Sequence, residues 1–536
     1  MRPLLVLAFA TGLCAQDRPA VDASPLNGSE RIAHVLSRLT FGATPQLVAE
    51  IRAQGLESWL DTQLATGAQE PQLLTDRLAG MGSLGLGCTS LVQTYRAPAE
   101  GKTAEARAER ERLRNVPGRE TRDAVLLRAA FGANQVREVL ADFFRNHFNV
   151  CVQKDDVRYL LPDWEREVIR AEALGTFPAL LQKSAHHPAM LIYLDNSLSR
   201  RPLTAAEVRA IGLDTRLRTR SRARGQEAID IAKQRGLNEN YARELLELHT
   251  LGVDNGYVQK DVSELARILT GWSVDLSAKE GTGFCFRADM HCDKDKIVLG
   301  RTIEHDRKHG QNEGEQVLEM LAAHPGTARF VAWKLCRHLV ADEPQESLVE
   351  RIASVFRQTK GNVPAMVKAI VASPEFFAPA AFQGKFKRPF ELVICALRAT
   401  HASVDSTEGL HRWLAQLGEP IYGCDDPTGY YDQAEAWCDP GVMAVRWRFA
   451  QDLAQGRIPG VRIGAAVLEG LHPQIVRAWP EQLAARLLPA GMSARTRAVL
   501  DQALQAHLAG RAAAQPRALG PLLVGLLLAS PEFQRQ

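Results

Sequence analysis

The run Asn238-Glu239-Asn240-Tyr241-Ala242-Arg243-Glu244-Leu245-Leu246-Glu247-Leu248-His249 sets the reading of the chain. At a helical 100° per residue, Asn240, Glu244 and Glu247 fall within about 60° of one another, with Arg243 bordering them. Leu237, Tyr241, Leu245, Leu246 and Leu248 cover the opposite arc, and His249 points near its centre. Asn238 reads as an N-cap and Gly252 as a helix stop. The segment is an amphipathic helix with a polar stripe on one side and an apolar stripe on the other.

The same period extends outward in both directions. Ile32, Val35, Leu36 and Leu39 are helically spaced, and Phe41-Gly42-Ala43-Thr44-Pro45 then breaks the pattern, with Thr44 as the next cap and Pro45 in the first turn. Helices are predicted over 124–151, 164–174, 178–185, 238–251, 260–272, 313–323, 326–341, 346–358, 363–372 and 387–400, and again through 405–536 around an irregular 419–440 segment. Residues 273–303 differ. Val274, Leu276, Phe284, Phe286, Ile297, Val298 and Leu299 lie among Gly, Asp and Lys, as in a small irregular hairpin and the only strand-like region. The predicted fold is all-α and multi-helical, with a main helical domain over 29–395 and a C-terminal helical subdomain over 396–536. Two charged insertions interrupt the first, at about 97–123, which reads as an exposed charged helix or loop, and at about 200–226. The stretch 200–224 carries eight arginines and reads as a solvated loop or a polyanion site. Ala-Ser-Pro-Glu-Phe occurs twice, at 372–376 and 529–533, each time ending an apolar helix.

Composition bounds the function. The chain has 536 residues, too many for a single compact core. Hydrophobic residues make up 46% and charged residues 24%, with a net charge of only +3, so no global field draws the chain to nucleic acid or to a membrane, and no nucleic-acid partner is expected. Met1-Arg2-Pro3 followed by Leu4 to Ala10 and a small residue at Ala15 reads as a secretory signal peptide over 1–15, then a polar flexible leader over 16–28. Cys14 offers a lipid-attachment alternative, but Leu13 before it fits that pattern poorly. The expected location is periplasmic or extracellular. No segment is apolar for long enough to anchor the chain; 521–529 is the nearest. Removing Cys14 from the nine cysteines leaves eight. Cys285 with Cys292 and Cys424 with Cys438 are the expected local disulfides.

Four clusters can carry chemistry. On the helix quoted first, Glu244 and Glu247 have three readings: metal ligands, an acid–base pair with one pKa raised by the other's charge, or a solvated face in which Arg243 pairs with Glu247. His147, in Arg145-Asn146-His147-Phe148-Asn149, is a candidate ligand or base, or a charge at a helix C-terminus. Asp195 and Asn196, after His186-His187-Pro188, offer oxygens to a hard cation or form an Asx turn. His291-Cys292-Asp293-Lys294-Asp295 resembles a cation loop without calcium-loop spacing. The chain has no nucleotide-binding glycine loop, no Gly-x-Ser-x-Gly elbow, no His-Glu-x-x-His helix and no Cys-x-x-Cys, which argues against kinases, serine hydrolases, common metalloproteases and zinc ribbons.

These clusters, taken in order, resemble a bacterial family catalogued as domain of unknown function 1800. The carrying segments are Arg31 to Phe41, Asn146-His147-Phe148, His187 to Met190 through Asp195-Asn196, Asn238 to Gly252, and Asp261 to Trp272. Phe284-x-Phe286, His291, Lys296 to Gly300, Lys387 to Glu391 and Ala529 to Phe533 complete them. The resemblance implies a secreted or envelope protein, often encoded beside an exported family with a phosphatase-like fold, which is the expected partner. Its motif residues fall on His147, Asp195, Asn196, Asn240, Arg243, Glu244, Glu247, His249 and His291. Three departures stand out: Cys292 between His291 and Asp293, Arg145 before Asn146, and Tyr430-Tyr431 where a Trp-Pro pair is commoner. From residues and resemblance together, Glu244, Glu247 and His147 are the candidate catalytic groups of an exported hydrolase. Asn240, Arg243, Asp195 and Asn196 are the candidate binding groups, and His249 and His291 the candidate ligands of a divalent metal ion. The alternative is a non-enzymatic binding or assembly protein whose polar helix faces hold helices together.

Overall fold

The computed structural model describes residues 25–536 apart from 66, 68, 97–102, 235, 254, 278–280 and 510–515. The candidate signal peptide and Cys14 lie outside the described residues. The fold is mostly helical. Asn27 and Glu30 close a capping box on the helix Gly28–Leu39, whose Val35, Leu36 and Leu39 are buried. Thr44 caps Pro45–Gln54 through the Leu47 amide, as its position before proline predicts. The later helices Gln259–Leu269, Gln311–Ala322, Pro325–Leu339, Glu346–Thr359, Val363–Val371 and Pro389–Ala399 match the apolar period within a few residues.

Two segments differ from expectation, the arginine-rich stretch and the turn after Glu244. The charged insertion is helical from residue 104, as the largely exposed beginning of one long helix, Ala104–Phe131, whose far end is buried; Gly132 to Asn134 then break the 124–151 pattern before Gln135–His147. The arginine-rich stretch is a helical hairpin, not a loop. Thr204 and Glu207 form a capping box on Ala205–Thr219, which returns as Arg222–Gln234. Gly212 lets the two helices close, because a Cβ there would sit 2.4 Å from Ile229. The helix Asn240–Glu244 continues as a π-helical turn over Leu245–Thr250, where the Thr250 hydroxyl donates to the Leu245 carbonyl at 2.6 Å.

Residues 273–303 hold two antiparallel pairings, Trp272–Val274 with Phe284–Phe286 and Lys296–Val298 with Arg301–Ile303. A third, Ser403–Val404 with Val461–Arg462, lies outside that region, so it is not the only strand-like part. One hydrophobic core runs through position 395. The helix Pro389–Ala399 is buried along almost its whole length, and apolar side chains from both sides of the sequence join the same cluster. Residues 534–536 pair with 385–387, and Lys387 Nζ donates to the carbonyls of Phe533 (2.7 Å) and Arg535 (2.5 Å). The repeated Ala-Ser-Pro-Glu-Phe has one local role in both copies: Ser373 and Ser530 each accept the amide of the phenylalanine three residues on.

Candidate functional site

The helix Asn240–Glu244 and the π-turn after it carry the quoted polar stripe, and Glu244 on it lies within electrostatic reach of Asp426 in the 419–432 segment. Glu244 is half-buried, and among the described residues nothing donates a hydrogen bond to its carboxyl group. Burial first, then the negative charges of Glu247 and Asp426, push that carboxyl up to about 7, with Arg243 opposing. Arg243 meets Glu247 at 3.4 Å and Gln259 at 2.8 Å. Two carboxylates one turn apart therefore sit in different environments, one unpaired and one facing a guanidinium.

Asp426 reaches this face because a buried scaffold holds its loop. Asn149 Nδ2 donates to the carbonyls of Asp426 (2.8 Å) and Cys424 (3.0 Å), and the Tyr193 hydroxyl donates to the Asp425 carbonyl at 2.8 Å. Asn146 imitates a strand, accepting the Tyr430 amide at 2.6 Å and donating to its carbonyl at 2.8 Å. Behind it lies a chain of buried ions. Arg145 forks onto Glu165 and pairs with Asp142, while Arg388 bridges Asp142 and Glu419. The Tyr422 hydroxyl donates to Glu165 at 2.5 Å. Burial pushes the Glu419 carboxyl up to about 7 despite Arg388. Arg145 and the Tyr430 region, two of the departures from the family pattern, are thus both part of this scaffold.

The remaining sequence candidates divide. His147 and His249 come together beneath the helix, with rings 6.2 Å apart and His147 Nε2 at 3.2 Å from the His249 carbonyl. Both are buried among phenylalanines, and among the described residues neither Nδ1 atom has a hydrogen-bond partner. Burial holds His249 down to about 3 and His147 well below its usual value, so both rings are neutral. Lys334 lies beside them, its amine lowered to about 8 by burial; nothing in the sequence pattern singled it out. Asn240 is exposed. Asp195 adopts a left-handed conformation and pairs with Lys154 at 2.8 Å, and Asn196 is buried, donating to the carbonyls of Leu269 (3.2 Å) and Trp272 (3.1 Å). Both tie the chain locally.

His291 joins a different cluster. Its Nδ1 donates to the Thr270 carbonyl at 2.7 Å, and its Nε2 lies 3.2 Å from Glu313, which His305 also meets at 3.0 Å. The ammonium of buried Lys296 sits at the focus, 2.5 Å from Glu313, 2.7 Å from the Cys292 carbonyl and 3.3 Å from His291 Nε2. Lys296 is the resident cation there, and Glu313 is held down to about 2 by His291 and Lys296 against the cost of burial. The eight described cysteines are all free thiols, so neither Cys285–Cys292 nor Cys424–Cys438 is bonded.

Fold and site together define a large helical protein whose half-buried acidic face is assembled from three distant segments, around 146–149, 240–250 and 419–432. The chain belongs to the family described as protein of unknown function (DUF1800), whose model matches residues 34–535. No curated protein and no solved structure matches it.

Proposed function

We propose that this is an exported hydrolase that works by general acid–base chemistry at Glu244 and Glu247. The observation that supports this reading is Glu244 itself. A half-buried carboxyl with no hydrogen-bond donor, facing two other acids, contributes nothing to the fold; such a group is expected where function requires it. A carboxyl near 7 beside a carboxylate held by Arg243 gives one group that donates a proton and one that accepts it at neutral pH. Glycan cleavage is the version in which two carboxylates suffice. The test is release of reducing ends from envelope polysaccharides by the wild type, Glu244→Gln and Glu247→Gln. Activity is expected to fall above about pH 7 as the acid ionises, and to drop by 100-fold or more in Glu244→Gln, on the order of general-acid contributions. Unchanged turnover in that variant defeats the reading.

A second reading rests on Arg243, which also faces Glu239 at 3.8 Å and so ties the polar stripe into a surface network with Gln259 and Ser263. That face would bind an exported partner protein rather than turn over a substrate. Copurification of one exported partner, lost in Arg243→Ala while Glu244→Gln retains it, would support this second reading over the first. No helix among the described residues is long and apolar enough to cross a membrane.

A further inference from the structure

A second cluster lies apart from the Glu244 face, at the floor of a cleft of about 630 Å³ whose lining includes Glu167, Gln182 and Phe284. Three separate elements deliver its groups. Cys88 begins the helix Cys88–Tyr95, Asp163 ends Val157–Asp163, and His187 stands between Phe177–His186 and Pro188–Tyr193. All three are buried by area, and all three border the cleft. Cys88 Sγ lies 3.6 Å from His187 Nε2 and 3.0 Å from Asp163 Oδ2, and His187 Nε2 lies 3.3 Å from the same Oδ2.

These separations carry a signature. Zinc bonds of about 2.3 Å to sulfur and about 2.0–2.1 Å to nitrogen and oxygen, arranged tetrahedrally, place ligand atoms about 3.6 Å (S to N), 3.3 Å (N to O) and 3.5 Å (S to O) apart. Two of the three edges agree, and the third is shortened by the thiol's hydrogen bond to Asp163. Arg166 grips the other oxygen of Asp163, and the Trp164 ring fixes the His187 ring edge-on at 5.2 Å. The His291–His305–Glu313 cluster provides the contrast: there Lys296 fills the focus, whereas here the neighbouring cation, Arg166, pairs with Asp163 Oδ1 and leaves Oδ2 to Cys88 and His187.

We propose that Cys88, Asp163 and His187 form a zinc site whose fourth coordination position opens into this cleft. A thiolate, an imidazole and a carboxylate with one position free are the donor set and coordination number of an open zinc site. One feature must rearrange. His187 Nδ1 accepts the Ala189 amide at 3.1 Å and caps Pro188–Tyr193, which leaves the ring proton on Nε2. Zinc at Nε2 moves that proton to Nδ1 and breaks the cap; the thiol proton goes to solvent. Losing one cap is a far smaller cost than three metal bonds supply.

The test uses the chelator-treated full-length protein titrated with Zn²⁺ against a competing indicator, and with Co²⁺ followed by absorbance. The expected result is one tight equivalent, a thiolate-to-cobalt charge-transfer band, and loss of the Ala189 amide signal from its original position in the nuclear magnetic resonance spectrum. Cys88→Ser should abolish the band, and Cys88→Ser and Asp163→Asn, as losses of direct ligands, should each weaken zinc at least as much as the roughly 10–100-fold typical of losing an outer-shell partner, while Cys292→Ser leaves both unchanged. Circular dichroism of the metal-free Cys88→Ser chain checks that it folds. A charge-transfer band that survives Cys88→Ser, zinc affinity indifferent to both variants, or no uptake at all overturns the proposal.

Discussion

Replacing Glu244 by glutamine should stabilise the protein at alkaline pH and leave it unchanged in acid. The carboxyl lies at about 7 in the folded chain against an ordinary 4.5, so the fold binds this proton more tightly than the unfolded chain does. Below about pH 4.5 both states are protonated and the substitution is neutral. As pH rises the unfolded chain releases the proton first, stability declines, and above 7 the whole cost of ionising Glu244 is present. At roughly 1.4 kcal/mol per pH unit the ceiling is about 3 kcal/mol. The group is only half-buried, and solvent screening reduces this to about 1–2 kcal/mol. Glutamine keeps the shape and removes the charge. For a chain of this length, with about 2 cal/mol/K of unfolding entropy per residue, the gain is about 1–2 °C in Tm. Paired thermal melts of wild type and Glu244→Gln at pH 4.5 and pH 8.5 read it directly. Equal differences at the two pH values would show that Glu244 ionises as freely as a surface carboxylate and cannot serve as a proton donor at neutral pH.

Arg388→Met should cost about 3–5 kcal/mol by leaving Asp142 and Glu419 buried without their shared partner, measured by urea unfolding. Lys296→Met should cost up to a similar amount at pH 7 by removing the nearest of the cations and histidines around buried Glu313; the loss should shrink in acid as that carboxyl, no longer held near 2, takes up a proton. Gly429→Ala, at φ +77° with a Cβ only 2.5 Å from the Asn146 carbonyl and Oδ1, should cost about 1–3 kcal/mol. Because it lifts the loop that carries Asp426, it should also lower the pKa of Glu244, seen by carbon-detected titration of the carboxyl.

The helices were legible because burial and period coincide: Val35, Leu36 and Leu39, or Leu348, Val349 and Ile352, are buried on the stripe that the spacing predicts. The arginine-rich hairpin was not, because charge concealed the capping box of Thr204 and Glu207 and the close approach at Gly212. The π-turn at Leu245–Thr250 has no sequence period of its own, although His249 still falls in the core as the α-helical wheel predicts. For the candidate site, Glu244 and Glu247 were visible as neighbours one turn apart. Asp426 was not, since only tertiary pairing through Asn146 and Asn149 brings 424–430 to the helix. Cys88 gave no signal in isolation, because its companions Asp163 and His187 lie 75 and 99 residues away.

The buried ions and the exposed acids belong to one construction. Buried ion pairs add little net stability compared with apolar packing, but a half-broken one is costly, so they enforce a single arrangement. Here the enforced arrangement is the seat of the 419–432 segment: Arg388 fixes Glu419 at its start, Tyr422 locks onto Glu165, and Asn146 and Asn149 clamp the residues from Cys424 to Tyr430. Asp426 itself is exposed, and its effect on Glu244 depends on that seat being rigid. The scaffold around Arg388 therefore governs the acidity of a carboxyl it never touches. If Glu244 is the working acid, loosening the scaffold should shift the pH profile before it abolishes the reaction, because the proton donor survives while its setting changes.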